Sequence, residues 1–92
     1  MKPRRHPREA LDEHFIWLVR VPGFYADGSG LYLKVDNTGA RRWILRTMIQ
    51  GKRRDMGLGS LSVTPLTKAR QKAELYRRIA REGGDPIAVR RV

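Results

Sequence analysis

The sequence contains no cysteine. That removes disulfides, thiolate metal sites and thiol nucleophiles together. It has no long apolar run: the longest, Phe15–Val19, is far short of the ~20 residues that span a bilayer. A basic N-terminus with no apolar stretch behind it is not a secretory signal. Acidic residues are scarce, nine against 20 Lys and Arg, and no two are placed as an obvious pair for acid–base work. The two histidines, His6 and His14, make a poor metal pair. Gly28-Ser29-Gly30 has neither the strand–helix context nor the Lys-Ser/Thr of a phosphate loop, and Gly57-Leu58-Gly59-Ser60 is equally incomplete. No repeat or low-complexity segment is visible. Ninety-two residues make one small domain with one modest core and no room for a deep active site. The inventory argues against an enzyme. It also implies no cofactor, no metal, no small-molecule substrate and no membrane partner.

What the chain has is positive charge. A formal charge of +11 on so short a chain repels itself unless a polyanion is near. Nucleic acid is the commonest such partner. A solvated basic surface that only aids solubility is the competing reading. Fifteen of the basic residues are Arg, whose planar fork suits phosphates and guanine edges. They cluster in residues 1–8, 41–55 and 68–82, whereas residues 9–40 are net acidic. A hydrophobic content of 40% is enough for a folded core.

Hydrophobic periodicity predicts an α+β domain, a three-stranded antiparallel sheet packed on one C-terminal helix. Residues 1–8, with two prolines and no apolar period, read as a flexible basic arm. Within residues 9–20, Leu11, Phe15 and Leu18 have helical spacing, although Phe15–Val19 would serve equally as a strand. Pro22-Gly23 ends that segment, and residues 24–30 read as a brief extended piece and a turn. Leu31, Leu33 and Val35 alternate with Tyr32 and Lys34. Asp36-Asn37-Thr38-Gly39 is a hairpin turn. In the second strand, Arg42–Gln50, Trp43, Leu45, Thr47 and Ile49 share one face and Arg42, Ile44, Arg46 and Met48 the other. A turn at Gly51-Lys52 leads to a third strand, Arg53–Leu58. There Met56 and Leu58 face the core, with Arg54 on their side, and Arg53 and Asp55 face away. Residues 59–63 read as a connection. Thr64 then reads as an N-cap and Pro65 as the first helical residue. Leu66, Ala69, Ala73, Tyr76 and Ala80 form the apolar stripe of a helix of about 17 residues. Gly83-Gly84 stops it.

The sheet would thus have one greasy and one basic face. A two- or three-stranded ribbon fits the major groove of B-DNA, about 12 Å wide. Lys34, Arg42, Arg46 and Arg53 are candidates for groove contacts, with Tyr32, and with Ile44 and Met48 against thymine methyls. For Ile44 and Met48 the alternative is packing against the N-terminal helix. Lys52 and Arg54 at the hairpin tip, Arg53 as the alternative to its place in the groove, Arg41, and Arg4 and Arg5 in the arm are candidates for phosphate contacts. Tyr76 reads as helix core and Tyr25 as a loop or core anchor.

Several segments are familiar in this order. Pro22-Gly23-Phe24-Tyr25-Ala26-Asp27-Gly28-Ser29-Gly30-Leu31-Tyr32-Leu33 resembles the opening of the N-terminal arm-type DNA-binding domain of prophage and genomic-island integrases, which are tyrosine recombinases. Gly39-Ala40-Arg41-Arg42-Trp43, Gly51-Lys52-Arg53-Arg54, Leu58-Gly59-Ser60, Lys68-Ala69-Arg70 and Gly84-Asp85-Pro86 fit the same pattern. The resemblance covers roughly residues 22–90. It implies a three-stranded sheet, sometimes with a short extra strand, backed by one helix. It implies double-stranded DNA at arm-type sites as the partner, in site-specific recombination by a bacterial cytoplasmic enzyme that is nucleoid-associated when bound. It implies that the nucleophilic tyrosine belongs to a catalytic domain outside this chain, so none of Tyr25, Tyr32 and Tyr76 has that role. On this reading, residues 9–84 are the DNA-binding domain. Residues 85–92 begin a linker to core-binding and catalytic domains, and the isolated domain is monomeric. The rivals are an RNA-binding ribosomal-type module, which would favour exposed aromatics, and a protein–protein module contacting neighbouring integrase subunits. Exposure of Trp17 would favour the latter.

Overall fold

The computed structural model describes residues 10–90. The expected basic arm, with Arg4 and Arg5, lies outside them. The element order is α1 (Glu13–Leu18), β1 (Gly23–Gly28), β2 (Leu31–Val35), β3 (Arg41–Ile49), β4 (Lys52–Ser60), α2 (Leu66–Arg81) and α3 (Pro86–Arg90). The strands form one antiparallel meander in the order β1-β2-β3-β4.

The α+β class and the strand faces are as expected, but the sheet has four strands rather than three. The segment read as an extended piece and a turn is β1, paired with β2 from Gly23↔Val35 to Gly28↔Leu31. Its pattern hid it. Tyr25 and Asp27 point inward, while Phe24 and Ala26 are exposed. A buried acid facing the core inverts the alternation by which a half-buried strand is recognised.

Trp43, Leu31, Leu33, Val35, Leu45, Met56 and Leu58 make the inner face of the sheet, each at most 3% exposed. Leu66, Ala69 and Ala73 of α2 and Ile16 of α1 close over it. The two alanines let the helix backbone approach the sheet. The buried Trp43 indole N–H donates to the Thr64 carbonyl at 2.7 Å, so its polar atom is satisfied.

Three local expectations are corrected. The β3–β4 turn is Gln50-Gly51, both at positive φ (50° and 84°), with Ile49 paired to Lys52. This is the two-residue hairpin whose twist suits the flanking strands. The N-cap position of α2 is Pro65, not Thr64, and no side chain caps it. Thr64 is buried, with its carbonyl taken by Trp43 and its hydroxyl turned toward Gly59. Strand β4 runs on to Ser60, with a bulge where Trp43↔Gly59 gives way to Ile44↔Gly57. The helix stop is as read. The Gly84 N–H bonds the Ile79 carbonyl and the Gly83 N–H the Ala80 carbonyl, with Gly83 at φ 94°.

At the N-terminal side, Asp12 caps α1 by accepting from the Phe15 N–H at 2.8 Å. The segment is a helix rather than a strand. Its buried residue is Ile16, while Phe15 and Leu18 are 39% and 60% exposed. A helix of six residues makes fewer than two turns, so one central side chain is inserted instead of a long stripe. Within the segment expected to begin a linker, Asp85 caps α3 through the Ile87 N–H at 3.0 Å, and Pro86 is buried.

Gly30 occupies a tight crossing. It sits at φ 88°, its carbonyl accepts from the Arg46 N–H at 2.7 Å, and a Cβ there would collide with the Arg46 carbonyl oxygen. Gly30→Ala is expected to cost about 3 kcal/mol, from the left-handed conformation and the displaced strand together. Thermal unfolding reads it directly. An unchanged midpoint would show that the crossing relaxes freely.

Candidate nucleic-acid interface

The outward residues of the four strands form one open face, because α1 and α2 both pack on the other. Register aligns them in rows. Phe24, Lys34 and Arg42 are neighbours across β1, β2 and β3, and Ala26, Tyr32 and Ile44 make the next row. Arg46 lies opposite Asp55 and Met48 opposite Arg53 across β3 and β4. All seven expected groove residues therefore share this face. Ile44 and Met48 do not pack against the N-terminal helix, since Ile16 of α1 belongs to the core on the opposite side. Met48 is 56% exposed.

The cations on this face are ordered by their neighbours. The Arg46 guanidinium grips Asp55 with a two-point fork, Nε to Oδ1 at 2.8 Å and Nη2 to Oδ2 at 3.2 Å. Its Cζ also lies 5.2 Å from the Tyr32 ring centroid and 5.7 Å from that of Phe24. Lys34 Nζ sits 5.5 Å from the Phe24 centroid, and Phe24 meets Tyr32 edge-on at 6.1 Å. Two aromatic rings and two cations thus brace one another. The hydrogen bond from Arg46 holds the Asp55 carboxyl below its ordinary value, and the same bond raises Arg46. Arg42 is looser: its Nη2 stands 3.6 Å from Asp36, and its side chain is 53% exposed. The Asp36 carboxyl is lowered chiefly by its bond from the Thr38 hydroxyl inside the β2–β3 turn.

The expected phosphate residues separate. Lys52, Arg53 and Arg54 are exposed around the β3–β4 tip, with Arg54 opposite Thr47 on the core-side parity. Arg41 is elsewhere. It shares the Trp43 side of β3 and donates to the carbonyls of Ile16, Trp17 and Val19 at 3.1, 2.9 and 3.4 Å, with Trp17 beside it. Those are the end carbonyls of α1, which have no partner within the helix. Arg41 fastens α1 to the sheet.

Two features escaped the sequence reading. Phe24 belongs to the open face, because the brief extended piece expected there is the paired strand β1. Asp27 and Arg70 form a bidentate pair, with both N–O distances 3.0 Å, joining β1 to α2. They are 43 residues apart, so no local spacing announces them. Among the described residues no group of three or more His, Asp or Glu could hold a metal ion. No described helix is long and apolar enough to cross a membrane.

The family model described as Arm DNA-binding domain matches residues 10–92. The integrase of Shigella phage Sf6 is 37% identical over 65 residues, as is the prophage integrase IntS of Escherichia coli strain K12. The matched stretch is 71% of this chain and 17% of each relative, so the chain spans under a fifth of their length. With a family match over nearly the whole chain and a basic sheet face left uncovered by the two helices that build the core, the chain belongs to the Arm DNA-binding domain family.

Proposed function

We propose that this domain binds double-stranded DNA at arm-type sites, with sequence preference, as part of an integrase acting in site-specific recombination. The observation that carries the reading is the uncovered sheet face, on which Lys34 and Arg42 are cross-strand neighbours and Arg46 and Arg53 face the same way from β3 and β4. The sheet enters the major groove. Arg42, Arg46 and Lys34 meet base edges, Ile44 and Met48 meet thymine methyls, and Tyr32 supports them. Lys52, Arg53 and Arg54 anchor the hairpin tip on phosphates, and Arg4 and Arg5 add contacts from the arm. Arg41 acts from behind, by holding α1 in place. The domain is non-catalytic, and the recombination chemistry belongs to the longer protein.

An NMR titration of the labelled chain with a random duplex and with duplex RNA, near physiological salt, tests this. Amides of Leu31–Val35, Arg42–Gln50 and Lys52–Gly57 are expected to shift with DNA. Shifts confined to Arg78, Arg81 and their neighbours on α2 would move the binding surface to the helix. A response to RNA alone would overturn the integrase reading. The aromatics offer RNA little, because cations already flank Phe24 and Tyr32. With a selected site in hand, Arg42→Ala is expected to cost about 1–3 kcal/mol of base discrimination, whereas Lys52→Ala weakens all sequences alike. Equal losses on all sequences for both would remove Arg42 from the groove.

A second reading concerns a different surface and coexists with the first. Trp17, Leu18 and Val21 are 47%, 60% and 68% exposed around α1. That exposure favours contact with another integrase subunit.

A further inference from the structure

We infer that Asp55 is a specificity-determining positioning residue: it aims Arg46 at a guanine and opposes binding to DNA that offers none. The inference rests on the proposed reading of the sheet as the DNA-binding face.

A carboxylate is out of place on a surface that meets DNA. Phosphates repel it, and in the major groove only the amino groups of cytosine and adenine would welcome it. Asp55 nevertheless stands on the open face, with its side chain 46% exposed, directly across from Arg46. Its geometry gives it a use. It takes Nε and Nη2, the side edge of the guanidinium. Neither bond uses Nη1, so Asp55 leaves the end-on pair of Nη1 and Nη2 to O6 and N7 of guanine, which would replace the weaker pull of the Tyr32 hydroxyl on the same guanidinium. Tyr32 and Phe24 flank the same group, so its plane is braced as well as its edge. An arginine held at one edge and along its flank gives up little rotamer freedom when the other edge binds. A loose arginine swings to the nearest phosphate instead. The carboxylate also cancels the charge of Arg46, so Arg46 adds little to binding that ignores sequence. Both effects widen the gap between right and wrong DNA, one by pre-ordering and one by repulsion.

The test is binding of the 92-residue chain to a randomised duplex library, with the bound fraction sequenced. Asp55→Asn and Arg46→Lys are compared with the unaltered chain. Asp55→Asn keeps the shape and removes the charge. It is expected to lower discrimination at one guanine position by about tenfold. Its affinity for random duplex should rise by about threefold. Arg46→Lys keeps the charge and removes the fork, so it should lose preference at the same position. Both side chains are partly exposed, and a matched melting temperature separates a lost aim from a lost fold. If Asp55→Asn melts early, the Arg46→Lys profile carries the test: retained preference at every position overturns the inference. So does Asp55→Asn with an unaltered sequence profile. An unaltered chain that binds duplex with no preference overturns the sequence-reading proposal itself, and this inference with it.

Discussion

Replacing Asp27 with alanine is expected to lower the unfolding free energy by about 3–5 kcal/mol. Asp27 is 3% exposed, yet it is charged and central to several bonds. Its two oxygens receive the Arg70 fork, and Oδ1 also accepts from the Leu11 N–H at 2.9 Å. Arg70 Nη2 reaches on to the Leu11 carbonyl at 2.8 Å, and the Asp27 carbonyl accepts from the Ala10 N–H. One carboxylate therefore ties the N-terminal segment, β1 and α2 together. Alanine strands the Leu11 N–H and removes the facing charge from a guanidinium that is only 27% exposed. Domains of this size have about 5–15 kcal/mol in all, so the variant should be largely unfolded in modest urea. Asp27→Asn keeps the shape and should lose less. The double change Asp27→Ala with Arg70→Met should recover part of the loss, because removing both partners leaves no buried charge behind. A loss under about 1 kcal/mol for Asp27→Ala would show that the pair does not organise the fold.

The second large effect is on binding. Affinity for duplex DNA is expected to fall about a thousandfold between 50 and 200 mM monovalent salt. Besides Arg46, the cations of the open face are Lys34, Arg42 and Arg53, with Lys52 and Arg54 at the tip; from the sequence, Arg4 and Arg5 are proposed to add contacts. If about six phosphates are neutralised, log K falls against log salt with a slope near −5. Arg46 should contribute little, since Asp55 already balances it. Lys52→Ala should reduce the slope by about one and Arg46→Ala by much less. Titrations at four or five salt concentrations read both numbers. A flat response would end the DNA reading, because counterion release accompanies every phosphate contact.

The sequence by itself determined the α+β class, the β2 and β3 faces, the α2 stripe, the glycine stop after it and the membership of the open face on β2, β3 and β4. All of these rest on periodicity over neighbouring residues, which survives folding because a strand alternates and a helix turns at fixed steps. Only the tertiary structure decided the rest. Strand β1 was hidden because the residue it buries is an acid, tolerable there only through Arg70 far along the chain. Thr64 looked like a cap, but Trp43 and Gly59 claim its carbonyl and side chain. Arg41 looked like a phosphate ligand, but the open end of α1 takes its donors. Arg46 looked like one cation among several, until Asp55 and two rings fixed its direction. In each case a polar group is satisfied by a partner remote in sequence. Spacing carries no record of that choice, because burial and charge balance are settled only when the elements meet.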